Sequence, residues 1–409
     1  MPFAIVILLA LLLGAAAIAF DGGEGEEPAA ALRPASLERI VERVERERGL
    51  EFDSVPRPVE VTPREAQREG LESLDEDYPP ARRRADAEVL ALLGLIPRGS
   101  DLGEAYASTL SEAVAGYYDP RKDRLRIVEG AQTANRVLYE MVLAHELTHV
   151  LEDQRFEFDL DALAAGGDRA LAHTALIEGT ASVLMYRYVE ARFGAEELFG
   201  GLAASAFQGT GDLPPFLTAQ LVFPYTAGER FVQRLLDVGN GRWKVVDAAL
   251  RFRAPASTEQ VLHPDTYLKV EQPRRVSLSG SVAALGAGWR PALRTTFGEW
   301  QTQKLLARAG GTGSSKAAAG WGGDRYALLE RGDERALIVR WTWDSARDRA
   351  DFVAALRAWG EEGLPDSTPA GHDAWRTPEG AAAIAVRGDT ATLVLAPDAA
   401  LARRAARAD

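Results

Sequence analysis

The stretch that most constrains this chain is His145-Glu146-Leu147-Thr148-His149. Two histidines at i and i+4 lie on one face of a helix, about 5–6 Å apart at Cβ, so both imidazoles can reach one metal ion. Glu146 points roughly a third of a turn away and can contact a metal-bound water without occupying the metal. The flanks support a helix: Val137, Leu138, Met141 and Val142 recur at helical spacing before the motif, and Val150 and Leu151 follow it. The alternative is a surface helix with two incidental histidines. The chain has only five histidines in 409 residues and no cysteine. A metal site must therefore use His and carboxylates, and disulfides are excluded.

A third ligand is sought downstream. Residues 161–192 read as a long helical region, clearest from Asp168 to Arg192, and carry Leu176-Ile177-Glu178-Gly179-Thr180-Ala181. A Glu in an apolar stretch is costly unless its charge is paired or on a metal. The small Gly179 and Ala181 let the helix approach another closely. Glu178 is the expected third ligand. The alternative is a structural carboxylate paired with Arg187 or Arg192. His173 is the rival ligand, but it lies five residues from Glu178, off its helix face.

Upstream, Ala115 to Val128 reads as a β-hairpin with a polar turn at Pro120-Arg121-Lys122-Asp123. Tyr117 and Tyr118 are either strand aromatics or cleft-lining groups. Further on, Ser257-Thr258-Glu259-Gln260 opens a short helix. His263, before a proline, sits in a turn or extended segment. It can donate to a developing oxyanion or cap a helix, and both readings stand.

Other elements follow from local chemistry. Ser36 is expected to cap a helix Leu37 to Arg48, with Leu37, Ile40, Val41 and Val44 on one face. A strand at Val59-Glu60-Val61 precedes a capping box, Thr62 with Pro63 and Glu65. Helices are expected near 81–94 and 102–113. Residues 200–220 read as a loop over the site. Leu213-Pro214-Pro215-Phe216 and Phe223-Pro224-Tyr225 punctuate two short helices, and Gly228 to Val238 and Trp243 to Leu250 are helical. From about 280 the pattern changes to a small antiparallel α+β domain. Its strands lie at 325–330, 335–343, 381–386 and 390–395, interrupted by a helix at 346–359. His372 lies there in a turn-rich segment with no catalytic constellation.

The expected division is a signal peptide or N-terminal membrane anchor at 1–20, an acidic flexible linker at 21–34, a catalytic domain at 35–280, a helical connector with a strand-like start at 281–320, and the α+β domain at 321–409. Phe3 to Phe20 is uninterrupted apolar, and Ala17-Ile18-Ala19 offers a cleavage site. The basic stretch expected before a cleaved signal is missing, and the 18 residues can just span a bilayer. Asp21, Glu24, Glu26 and Glu27 follow, so the remainder is expected outside the cytoplasm. The net charge of −13 argues against nucleic-acid binding. The sequence does not set the oligomeric state.

In this order, Gly116 to Pro120, Ala144 to His149 with Glu152-Asp153-Gln154, Ile177-Glu178-Gly179, Phe223-Pro224-Tyr225, Ser257 to Pro264 and Gly320 to Tyr326 resemble a group of secreted zincin-like metallopeptidases of bacteria and archaea. The resemblance implies an α+β zincin catalytic domain, an active-site helix beside a mixed sheet with an edge strand. It implies Zn²⁺ held by His145, His149 and Glu178, with Glu146 as general base and a peptide or protein as substrate. His263 or Tyr118 would assist at the oxyanion. The chain departs from thermolysin-like enzymes in the longer stretch between His149 and Glu178. Ser182 stands where their motif has an Asp. A non-catalytic surface protein whose C-terminal domain binds a partner is the competing class.

Overall fold

The structure is a computed structural model and describes residues 34–55, 57–112, 116–129, 136–193, 213–310 and 312–408. The expected targeting segment at 1–20 and most of the acidic linker lie outside these residues, as does most of the loop expected at 200–220. Among the described residues no helix is long and apolar enough to cross a membrane.

Four helices frame the candidate site, α1 (Pro34–Arg48), α2 (Arg136–Phe156), α3 (Gly167–Phe193) and α4 (Pro215–Val238), and a fifth, α5 (Gly298–Leu306), packs against the second sheet. The central one is α3. It is buried on nearly every face from Asp168 to Val189, as a helix apolar all round must be. It packs on α2 on one side and on α4 on another. At the α3/α4 crossing both helices present glycine. A Cβ on Gly179 would sit 2.9 Å from Glu229 N, and one on Gly228 would sit 2.8 Å from the carbonyl carbon of Ala175. Backbone lies on backbone there.

A three-stranded mixed sheet flanks α2. Its strands β1 (Val59–Val61), β2 (Gly116–Asp119) and β3 (Arg124–Val128) run in the order β1-β3-β2, which puts β2 at an edge. β1 pairs parallel with β3, and β2 pairs antiparallel with it, Tyr118 opposite Leu125. The turn between β2 and β3 is the one the sequence marks. The capping box also forms. Thr62 accepts from Glu65 N, and Glu65 accepts from Thr62 N, opening the helix Pro63–Asp77.

The second sheet has seven antiparallel strands in the order β4-β5-β6-β10-β9-β8-β7. They are β4 (Arg290–Thr295), β5 (Trp321–Arg331), β6 (Glu334–Trp343), β7 (Thr368–Pro369), β8 (Ala374–Thr377), β9 (Gly380–Arg387) and β10 (Thr390–Ala396). Side chains alternate between two covered faces. Leu337, Val339, Trp341 and Trp343 join the large core that runs back to α2, α3 and α4. Ala336 and Ile338 face a smaller core under the helices Ser279–Leu285 and Ala399–Ala406. The molecule is thus mixed α+β, with the central helices on one face of this sheet.

Three expectations need correction. The first helix begins at Pro34, not after Ser36; proline suits a first turn because its missing N–H has no partner to lose. The two short helices around Pro224 are one, α4, with Pro224 inside it. Proline forfeits a backbone bond there, but Phe216, Leu217 and Leu221 before it and Phe231, Val232 and Leu235 after it are buried in one core. That shared burial holds both halves in line. The expected connector at 281–320 contains β4, an edge strand of the second sheet. The strand-like start expected there falls at 290–295, and Pro291 is tolerated because an edge strand can spare its N–H.

Candidate metal centre

α2 carries His145 and His149 one turn apart, and α3 brings Glu178 against them. His145 Nε2 lies 3.1 Å from Glu178 Oε2 and 3.0 Å from His149 Nε2, and His149 Nε2 lies 3.5 Å from the same carboxylate oxygen. All three residues are buried. Bonds of 2.0–2.1 Å in a tetrahedral site place ligand atoms roughly 3.3 Å apart, which is the spacing of this triangle. Two imidazole nitrogens at 3.0 Å can share at most one proton, so the array is poorly paired by itself and suited to a cation at its centre. The donor set, two neutral nitrogens and one carboxylate oxygen, fits a divalent transition ion.

The charges agree. Burial alone would raise Glu178, but the two imidazoles outweigh it and hold the carboxyl down at about 2. Burial lowers His145. At His149 burial is overcome by Glu178, Glu146 and Glu152, and the ring is pushed up to about 9.

Glu146 is off the ligand face, as its position in the helix requires. Its Oε2 accepts the backbone N–H of Tyr118 at 2.9 Å, so β2 anchors it. Its Oε1 is buried without a partner, and burial raises the carboxyl to about 8.

The alternatives weighed from sequence sort themselves here. Arg192 lies 3.5 Å from Glu140, and Arg187 lies over Trp243, so neither is the partner of Glu178. His173 is outside the triad, its pKa lowered by burial to about 4. Tyr118 reaches the site through its backbone. Its hydroxyl donates to Asp153 at 3.0 Å and Asp123 at 3.1 Å. The His263 ring is half exposed and bonded through Nε2 to Glu299 at 2.9 Å, which raises its pKa. Both groups expected at an oxyanion are thus engaged elsewhere, each by a carboxylate far from it in sequence or across a turn.

Two neighbours of the triad were given no role there from sequence, although Phe223-Pro224-Tyr225 is among the pieces that carry the resemblance. The Tyr225 ring, on α4, stacks on His145 with centroids 6.1 Å apart and planes at 29°. Arg48, fully buried at the end of α1, donates to Glu152 at 2.7 Å and is ion-paired with Asp247 at 2.6 Å. Its guanidinium lies 4.6 Å from the Trp243 ring. Glu152 follows His149 by three residues on α2. A signal for Arg48 was present, since Val44 and Arg48 are four apart on the apolar face of α1.

At the start of α3, Asp168 accepts from Thr258 N and Thr258 Oγ1, and burial raises its carboxyl to about 8. Close by, Asp324 of β5 accepts the N–H groups of Phe297 and Gly298. Trp300 N, two residues past Gly298, donates to Thr258 Oγ1 at 3.1 Å, which ties the second sheet to the end of the helix that carries Glu178.

Residues 290–406 match a family described as a domain of unknown function (DUF8575). The match runs from the first residue of β4 to the last of the helix Ala399–Ala406, so it covers the second sheet and not the triad. No curated protein and no solved structure matches the chain.

Proposed function

We propose that the chain is an extracytoplasmic zinc metallopeptidase of zincin type, hydrolysing peptide bonds in a peptide or protein substrate. The observation that carries this reading is the convergence of His145 Nε2, His149 Nε2 and Glu178 Oε2, with Glu146 held beside them but outside the triangle. A three-residue ligand set with a neighbouring carboxylate is the arrangement of catalytic rather than structural zinc. Bound there, Zn²⁺ would supply Lewis-acid polarisation and lower the pKa of water toward ~7. Glu146 moves the proton. Tyr118 N–H fixes one of its oxygens, and the other, Oε1, is unpaired and available to take a proton from water and pass it to the leaving amine. β2, at the sheet edge, holds that base in register with the ligand helix. The extracytoplasmic location is supported by the apolar run followed by acidic residues.

Burial favours a second reading. His145, Glu146, His149 and Glu178 are each no more than 1% exposed, as in a structural metal site of a non-catalytic protein whose second sheet binds a partner. Glu146→Gln separates the two. The variant is expected to fold and to hold zinc like the parent, while cleavage of a mixed peptide library falls about 10²–10⁴-fold. Equal cleavage by both proteins would exclude Glu146 as the base. Zinc in both with no cleavage by either favours the structural site.

A further inference from the structure

A histidine that ligates metal usually gives its second ring nitrogen to a carboxylate, a carbonyl or water, which fixes the tautomer and the plane of the ring. Among the described residues no side chain or carbonyl takes this role at His145: its Nδ1 is buried and unpaired. The terminal torsion of a histidine is broad, so the plane of the ring has to be set by packing. Two rings touch it. His149 meets it edge-on, with centroids 4.7 Å apart and planes at 83°, and is itself a candidate ligand. Tyr225 lies beside it, stacked with centroids 6.1 Å apart and planes at 29°, within the range of productive aromatic pairs.

Tyr225 is well placed to hold that plane. It lies three residues before Gly228 on α4, where the chain rests on the backbone of Ala175. Gly179, in the same crossing, adjoins Glu178. The Tyr225 ring and the Glu178 carboxylate are therefore referenced to one rigid backbone contact, one on each side of it.

Resting on the metal-site reading, we infer that Tyr225 is a positioning residue for the metal. Its ring face sets the plane of the His145 imidazole in place of a hydrogen bond to Nδ1, so that Nε2 points at the place shared with His149 and Glu178. The contact with His145 is made by the ring, so loss of the hydroxyl alone is expected to leave it in place.

The test uses the full chain, with Zn²⁺ affinity from chelator competition and the visible spectrum of bound Co²⁺ as a report on ligand geometry. Tyr225→Phe keeps the ring and is expected to bind within about threefold of the parent with an unchanged Co²⁺ spectrum, whereas Tyr225→Leu is expected to lose about 10–100-fold in affinity and to show altered bands. Tyr225→Met is a second non-aromatic variant of similar volume, and unfolding of the metal-free proteins identifies a variant that has merely lost its fold. Parental affinity and spectrum in folded Leu or Met variants would overturn the inference. So would a Phe variant as weak as Leu, since the hydroxyl would then be the active part. A parent that binds no more Zn²⁺ than His149→Ala refutes the metal site itself and this inference with it.

Discussion

Gly228→Ala is the sharpest probe of how the site is set. The new Cβ would fall 2.8 Å from the carbonyl carbon of Ala175, an obstacle of backbone that cannot rotate away. The carbonyl oxygen of Ala175 lies nearer still than its carbon, and non-bonded heavy atoms pack at about 3.5 Å, so α3 and α4 must part by about 1 Å or more. Overpacking of this kind costs about 1–3 kcal/mol. The metal is less tolerant than the fold, because ligand distances are held to about ±0.2 Å. Glu178 neighbours the crossing on α3, while His145 and His149 on α2 are not carried with α4. Urea unfolding of the metal-free variant should therefore show a loss of about 1–3 kcal/mol. Chelator competition should show Zn²⁺ affinity down by about tenfold or more. Gly313→Ala is the control, since its Cβ would meet nothing within 4 Å. If Gly228→Ala binds Zn²⁺ as tightly as the parent, the glycine crossing does not fix Glu178, and the argument from backbone contact fails.

Two further outcomes concern the supports of the site. Arg48→Ala strands the buried Glu152 carboxylate and should cost about 3–5 kcal/mol in urea unfolding, whereas Arg48→Met combined with Glu152→Leu should recover most of it; a loss no larger than that of an exposed arginine would refute the pairing. The pH dependence rests on Asp168, whose carboxyl is raised by burial from the usual 3.8 to about 8. Between those values the folded chain binds the proton and the unfolded chain does not, so Asp168 stabilises the fold at low pH and that stability is lost as pH rises through about 8. His263, also raised, acts in the same direction. Asp168→Asn should flatten the decline in unfolding free energy between pH 4 and pH 8, and an unchanged slope would show that Asp168 is not the titrating group.

What the sequence reveals about this protein is what local chemistry encodes. The i,i+4 histidines, the Thr62–Glu65 capping box and the polar turn between β2 and β3 are each decided within a few residues, and each is found where its pattern lies. Glu178 was legible for a different reason: a carboxylate amid Leu176, Ile177 and Gly179 must answer for its burial. What escaped was non-local. Nothing within the sequence neighbourhood of Tyr118 says that its hydroxyl goes to Asp153 and its amide to Glu146. Nothing beside His263 announces Glu299, 36 residues away. Pro224 reads as a break because its local cost is plain and the burial that offsets it, on α3, is not. β8 is four residues long and makes sense only between β9 and β7.

The Arg48–Glu152 pair also bears on how such a chain can be matured by proteolysis. Many secreted hydrolases are made with an N-terminal segment that is cut away to release activity. Here the helix Pro34–Arg48 cannot serve as that segment, because its last residue neutralises a carboxylate one turn beyond His149. The chain that follows is stitched to the same helix end. Gln154 bonds Ser54 O and Asp53 N, and Trp243 donates to Glu47 O. A trimming protease that cut after Arg48 and removed the helix would leave a buried charge beside the ligands and loosen the last turn of α2. On the secreted-hydrolase reading proposed above, a maturation product should therefore retain Arg48, still paired with Glu152.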